Sequence, residues 1–159
     1  MRLAVAIMVL CLAGCVGPFG GHGHGAHGPG ASMGGGGGIV ADTYVAGLEQ
    51  VGEDGIFSVR LVESDPIPRD TGIYTWTIEV VDATGGPVTG VTVLAEPMMP
   101  AHGHGTIPKF IDGIPSEGEG RYRLADMDLF MPGIWRVIIT LTHDDGREDV
   151  ALYHFDLEG

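Results

Sequence analysis

The chain has 159 residues, of which 8 are basic and 21 are acidic, and its formal net charge of −13 opposes binding to nucleic-acid phosphates and anionic lipid surfaces. Hydrophobic residues make up 44% of the sequence, enough for one core, but the 28 glycines are distributed too unevenly for the whole length to fold. We therefore expect one folded domain with a tail, and no nucleic-acid partner.

Residues 1–15, MRLAVAIMVLCLAGC, have the pattern of a lipoprotein signal. A single positive charge at Arg2 precedes an apolar run that ends at Leu12 and is too short to span a bilayer as a helix. The segment from Leu12 to Cys15 resembles the bacterial lipobox, in which the cysteine is acylated and becomes the new N-terminus. We expect a signal peptide at 1–14 and a lipid anchor at Cys15, with a plain secretory signal as the alternative.

Acylation of Cys15 makes the lipid bilayer the first expected partner, because several acyl chains together attach a protein almost permanently. The mature chain keeps this one cysteine, so no disulfide can form within the monomer. Valine at position 16, instead of aspartate, favours the outer membrane by the rule known for enteric bacteria. The sequence therefore predicts a protein of the bacterial cell envelope, on the periplasmic face of the outer membrane.

Residues 15–38 predict a disordered tether, because they are dominated by glycine and have no apolar periodicity. Three histidines lie within it, His22, His24 and His27, and neutral imidazoles can bind borderline metal ions. Ordering a glycine-rich chain around an ion costs about 1–2 kcal/mol for each residue fixed. We expect these histidines to be a weak accessory metal site or simply part of a polar spacer.

Residues 39–159 predict an all-β domain, because short β-rich runs alternate with glycine, proline and aspartate turns and no helical periodicity is present. About seven strands in this length suit an immunoglobulin-like sandwich. The predicted runs are Gly55–Glu63, Ile73–Asp82, Val88–Glu96, Thr106–Phe110, Gly120–Asp126, Ile134–Thr142 and Glu148–Leu157, with an edge piece at Tyr44–Glu49.

Alternation of apolar and polar residues assigns a core face to three of these runs. The side chains expected to point inward are Tyr74, Trp76, Ile78 and Val80, then Trp135, Val137, Ile139 and Leu141, then Ala151, Tyr153, Phe155 and Leu157. The opposite face of the last run is mixed, which indicates that it is partly covered.

Three stretches, TWTIEVVDATGGPVTG, EPMMPAHGHGT and GRYRLADMDLFMPGIWRVIITL, together resemble the YtkA-like/FixH-like domain family. Members show a glycine turn after an early strand, a Met-Pro loop with an HGHG-type sequence, and an MPG-x-W turn into a core strand. The resemblance covers about 55–157. It implies an extracytoplasmic immunoglobulin-like sandwich, and its FixH-type members imply copper handling and cytochrome oxidase assembly.

The loop PMMPAHGHGT, residues 97–106, is the candidate metal site. Thioethers suit Cu(I) and imidazoles accept both copper states, so His102, His104, Met98 and Met99 are the first candidate ligands. In an extended segment the two imidazoles point the same way. If the third and sixth runs are neighbours, the loop also lies near Met131, and Met127 is a further candidate. The sequence thus predicts a copper carrier that serves a copper enzyme or its assembly factors.

The alternative is a non-catalytic envelope interaction module, in which the same loop is only a turn and its methionines fill the core. The loop contains no cysteine, so a tight structural zinc site is disfavoured. His143, beside two aspartates, is interpreted as a turn residue. No Ser–His–Asp or Cys–His arrangement and no phosphate-binding loop is found in the sequence, so we expect that the protein is not an enzyme.

Overall fold

The computed structural model describes residues 38–159, which form two antiparallel sheets packed face to face around one core. No helix in this range is long and apolar enough to cross a membrane. The predicted signal peptide, the lipidation site Cys15 and the tether histidines His22, His24 and His27 lie outside the described residues. The expected all-β sandwich is confirmed.

Six long strands and four short ones occur between residues 38 and 159. Their bounds are β1 Leu48–Val51, β2 Phe57–Asp65, β3 Gly72–Asp82, β4 Val91–Met99, β5 His104–Gly105, β6 Ile111–Asp112, β7 Ile114–Pro115, β8 Arg121–Leu129, β9 Gly133–His143 and β10 Glu148–Leu157. The first sheet has the order β1-β2-β3-β8-β7. The second has the order β10-β9-β4-β5, and β6 also pairs with β4.

The long strands correspond to six of the seven predicted runs, but the predicted strand Thr106–Phe110 is wrong. The chain bends there and pairs with β4 only through the two-residue strands on either side, β5 and β6. Pro108 has no N–H for a ladder bond, and the hydroxyl of Thr106 donates to the Pro108 carbonyl at 2.8 Å. A local turn therefore replaces the expected strand.

The predicted core faces are confirmed, since all twelve predicted side chains are buried. Trp76 of the first sheet packs edge-to-face against Tyr153 and Phe155 of the second, with ring centroids 5.6 Å apart in both pairs. Aromatic pairs of this kind add to the free energy gained by burying their large apolar surfaces. These rings hold the two sheets together.

A bulge in β8 displaces the predicted end of that strand. The pairing with β3 shifts between Tyr74 and Trp76, and Asp126 has a left-handed backbone with φ of 59°, which aspartate tolerates better than most residues. Leu124 and Met127 consequently both point into the core. The strand then continues to Leu129, three residues beyond the prediction.

The outer edge of β10 is covered at two points. Asp42 donates its backbone N–H to the His154 carbonyl at 2.6 Å and accepts the His154 N–H on its carboxylate at 2.7 Å. Further along the edge, the Glu53 N–H donates to the Val150 carbonyl at 2.9 Å. These bonds occupy backbone groups that an edge strand otherwise offers to another chain.

Candidate functional site

The two adjacent methionines at the end of β4 point to opposite faces of their sheet, because side chains alternate along a strand. Met99 faces inward and is 1% exposed, whereas Met98 is half-buried on the outer face. The strand pairs antiparallel with β9 from Val91↔His143 to Met98↔Arg136, which confirms that the third and sixth predicted runs are neighbours.

A tight turn over residues 100–103 follows β4. The N–H groups of His102 and Gly103 both donate to the Met99 carbonyl, at 3.1 and 2.9 Å. Gly103 has φ of +68°, a left-handed conformation that glycine adopts without steric cost. The chain then returns as β5, with His104 opposite Met99 and Gly105 opposite Met98.

The turn brings the two histidines together, although not in the extended conformation that the sequence predicts. The ring centroids of His102 and His104 lie 5.7 Å apart, with 43° between the ring planes. Metal–nitrogen bonds of about 2.0–2.1 Å place two imidazoles on one ion with centroids on the order of 5–6 Å apart. The separation of the rings is therefore suited to one shared ion.

His102 is exposed and His104 is half-buried. The Nδ1 atom of His104 lies 3.4 Å from the Gly105 carbonyl, a long contact that favours the tautomer with the proton on Nδ1. In that tautomer Nε2 carries the free lone pair, which is how a second partner commonly orients a metal-ligating imidazole.

An aromatic floor of two rings positions His104. Phe130 stacks on its imidazole at 5.9 Å with 16° between the planes, and Trp135 contacts the imidazole edge-to-face at 6.5 Å. Phe130 and Trp135 also contact each other, at 5.8 Å. The sequence predictions did not include Phe130 as a site residue; its place directly before the MPG-x-W turn was the available signal.

The remaining candidate methionines differ in position and exposure. The Met131 carbonyl accepts the indole N–H of Trp135 at 2.8 Å, and the Met131 side chain is half-buried against the core. Met99 reaches the start of β9, since a Cβ at Gly133 would lie 3.2 Å from its methyl group. Met127 is fully buried on β8, in register with Tyr74. Neither Met99 nor Met127 presents more than 1% exposed surface to an exchanging ion.

A cleft of about 540 Å³ has His104 in its lining. Its wall includes Met98, Ile107 and Glu96, and the Glu96 carboxylate pairs with the Lys109 ammonium at 3.1 Å. Ile107 is 96% exposed. The cleft therefore combines a thioether, an imidazole and an uncovered apolar side chain.

The other histidines of residues 38–159 lie elsewhere. His143 is opposite Val91 at the start of β4, the end of that strand remote from the loop, and its Nδ1 lies 2.8 Å from an Asp145 carboxylate oxygen. It is the last residue of β9, directly before the turn that begins at Asp144, and not the turn residue that the sequence predicts. His154 accepts a hydrogen bond from the Arg136 guanidinium at 3.1 Å. Within the described range, no group of three or more His, Cys, Asp or Glu side chains could hold a metal ion.

The fold and site together define a β-sandwich with a paired-histidine loop at one end. The family model for YtkA-like proteins matches residues 54–140, more than half of the chain, and the chain belongs to this family. The match includes the loop at 97–106 and the MPG-x-W turn. No functionally curated protein and no solved structure matches the chain.

Proposed function

We propose that this protein is a membrane-anchored extracytoplasmic copper carrier, in which His102 and His104 are the principal ligands. The observation that supports the proposal most directly is the 5.7 Å separation of their ring centroids. The accessibility of the pair, with His104 half-buried against the Phe130 and Trp135 rings and His102 exposed, is a second supporting observation.

Copper chemistry suits this set of donors. Imidazole nitrogen accepts Cu(I) and Cu(II), and thioether sulfur is a soft ligand that favours Cu(I). Met131, half-buried next to Trp135, is the first candidate for a third ligand, and Met99 is opposite His104 in the strand pairing. A methionine sulfur brought to the two imidazoles would complete a mixed site.

Two protein ligands suit a carrier better than a store. An ion held by two imidazoles keeps open positions, so an incoming ligand can bind before either imidazole leaves. This ligand exchange is what transfer to a copper enzyme or its assembly factors requires. The acylated Cys15 would hold the carrier at the periplasmic face of the outer membrane, and His22, His24 and His27 would be weak accessory sites.

A non-catalytic interaction module is the second candidate, and one observation favours it. The stacking of Phe130 on His104 and the contact of His104 with the Gly105 carbonyl also suit an imidazole that only stabilises a turn. In that case removal of both histidines would change stability and leave copper affinity as it was.

A Cu(I) competition titration separates the two candidates. Residues 39–159, which contain all the described strands, are titrated against a chromophoric chelator under reducing anaerobic conditions. We expect one equivalent of Cu(I) to bind, to be lost in the His102→Ala/His104→Ala variant and to be retained in the control His143→Ala, which alters a histidine at the other end of β4. Failure of the intact domain to bind copper would exclude the carrier.

A further inference from the structure

The outer faces of the two sheets differ in chemistry. The outer face of the first sheet carries a ladder of charged side chains, in which Arg60 pairs with Glu49 at 2.7 Å and Arg121 lies 3.4 Å from Glu79. A solvated sheet normally has such a polar outer face. The first sheet therefore follows the usual rule.

The second sheet departs from that rule, because much of its outer face is apolar. The outward side chains, each half-buried, include Leu94, Met98, Ile134, Ile138, Val150 and Leu152; these six define the docking face. Four of them cluster across three strands, since Leu152 pairs with Ile138 while Val150 and Leu94 lie on either side of Thr140. Met98 and Ile134 extend the face beyond Arg136, which pairs with Met98. Among residues 38–159, no strand packs over this face.

Acidic side chains surround the docking face, and one lies within it: Glu96 is in register with Ile138 and forms an ion pair with Lys109 at 3.1 Å. Glu148 and Asp156 are exposed on β10, and Asp112 is exposed on the opposite side, in register with Leu94. Near the centre, Arg136 donates to His154 and forms no ion pair with a carboxylate of the described residues. An apolar centre within a polar rim is the usual anatomy of a protein interface.

The charge of the rim argues against a second copy of this chain as the occupant. Two copies face to face would bring acidic rims together, and each carries a net charge of −13. The area of the docking face also argues against a stable dimer. Three strands about 4.8 Å apart, each nine residues long with a rise of about 3.4 Å per residue, cover roughly 450 Å² on each partner. That is the size of weak or transient interfaces and not of obligate dimers.

We propose that the docking face binds transiently to a different protein, whose apolar patch is surrounded by lysine or arginine side chains. This inference goes beyond copper binding and does not depend on it. The face nevertheless adjoins the candidate site through Met98, whose side chain also lines the cleft beside His104. A partner seated there would lie next to the histidine loop.

The test uses the full-length chain in the envelope of its own organism, with the photo-reactive amino acid p-benzoylphenylalanine at position 138, the centre of the docking face. The matched control carries it at position 77, where Thr77 points outward from the middle of β3 in the other sheet. We expect one crosslinked protein from position 138 that is absent from position 77, and mass spectrometry identifies it.

Direct binding then decides the outcome. The identified protein, purified, should bind the detergent-solubilised full chain with a Kd that rises about tenfold on Ile138→Glu and severalfold on Glu148→Lys/Asp156→Lys, with little change on Thr77→Glu. Reversal of the exposed rim charges keeps the test independent of any folding defect caused by Ile138→Glu. A crosslink to a second copy, equal crosslinking from both positions, or none from position 138 would overturn the proposal.

Discussion

The carboxylate of Asp149 in β10 accepts a hydrogen bond from the backbone N–H of Phe57 at the start of β2, with 3.0 Å between the two atoms. It also accepts the N–H groups of Ile56 at 2.8 Å and Asp54 at 3.0 Å. Asp149 is only 2% exposed. One buried side chain thus ties the last strand to the loop that enters the opposite sheet.

Replacement of this carboxylate by an amide should destabilise the domain. Asn in Asp149→Asn keeps one acceptor oxygen but turns an NH₂ group toward backbone donors, so buried N–H groups lose their partners. We expect the free energy of unfolding at pH 7, from urea denaturation, to fall by about 3 kcal/mol. The control Asp156→Asn, at an exposed site on the same strand, should change it by less than about 0.5 kcal/mol. Equal losses in both variants would contradict this role.

Asp149 should also make stability depend on pH. Burial alone would raise its pKa, but the four backbone N–H donors outweigh burial and hold the pKa below the ordinary value of 3.8. A group with a lowered folded pKa contributes stability above its unfolded pKa, and this contribution is lost as pH falls through the folded value.

The wild-type protein should therefore lose stability more steeply than Asp149→Asn below about pH 4, as measured by urea unfolding at a series of pH values. Asp82 and Asp145, whose pKa values are also lowered, are present in both proteins, so their contributions cancel in the comparison. If the difference in free energy of unfolding between the wild type and Asp149→Asn stayed constant from pH 6 to pH 3, Asp149 would not be the source of the pH dependence.

The Asp149 carboxylate leaves no room for a side chain at position 52, which is a glycine. A Cβ atom at this position would overlap the Asp149 side chain, so Gly52→Ala should lower the free energy of unfolding by about 3 kcal/mol. The loss should shrink in an Asp149→Ala background, where space is available. Gly47→Ala is the comparison variant. A Cβ at position 47 would have no atom within 4 Å, but the backbone there is left-handed with φ of +84°. The free energy of unfolding should therefore fall only by the roughly 1–2 kcal/mol that this conformation costs an alanine. If the stability losses of Gly52→Ala and Asp149→Ala were simply additive in the double variant, the steric conflict between positions 52 and 149 would be refuted.

Trp135 should report on metal binding, because its ring lies 6.5 Å from that of His104. Addition of Cu(II) to residues 39–159 should quench tryptophan fluorescence. The quenching should persist in Trp76→Phe and disappear in His102→Ala/His104→Ala. Trp76→Phe removes the other tryptophan without breaking a hydrogen bond, since its buried indole N–H has no partner in the described structure. Phe keeps an aromatic ring between the sheets, and a thermal-unfolding curve should verify that this variant is folded. Full quenching in the double-histidine variant would place the copper elsewhere.

Local patterns in the sequence predicted most of the fold. Alternation alone assigned Trp76, Trp135 and Tyr153 to the core, because a side chain's face in a regular strand depends only on its position. The same rule failed where the strand is irregular. The bulge at Asp126 inserts a residue, and its effect on Met127 could not be read from alternation.

The site was predicted less completely because its contacts are long-range. Proximity of His102 and His104 was expected, but from an extended strand and not from the turn that produces it. The aromatic floor depends on where Phe130 meets a loop more than twenty residues earlier. Asp149 gave no signal at all, since Phe57 and its other loop partners lie more than ninety residues away in the chain.

The bonds between Asp42 and His154 have a practical consequence for any shortened form of the protein. A chain that begins after residue 42 would leave the outward N–H and C=O of His154 free on a ten-residue edge strand. Such an edge can pair with the same edge of another molecule and seed aggregates. Asp42, six positions before the first residue of β1, thus helps to protect the solubility of the whole domain.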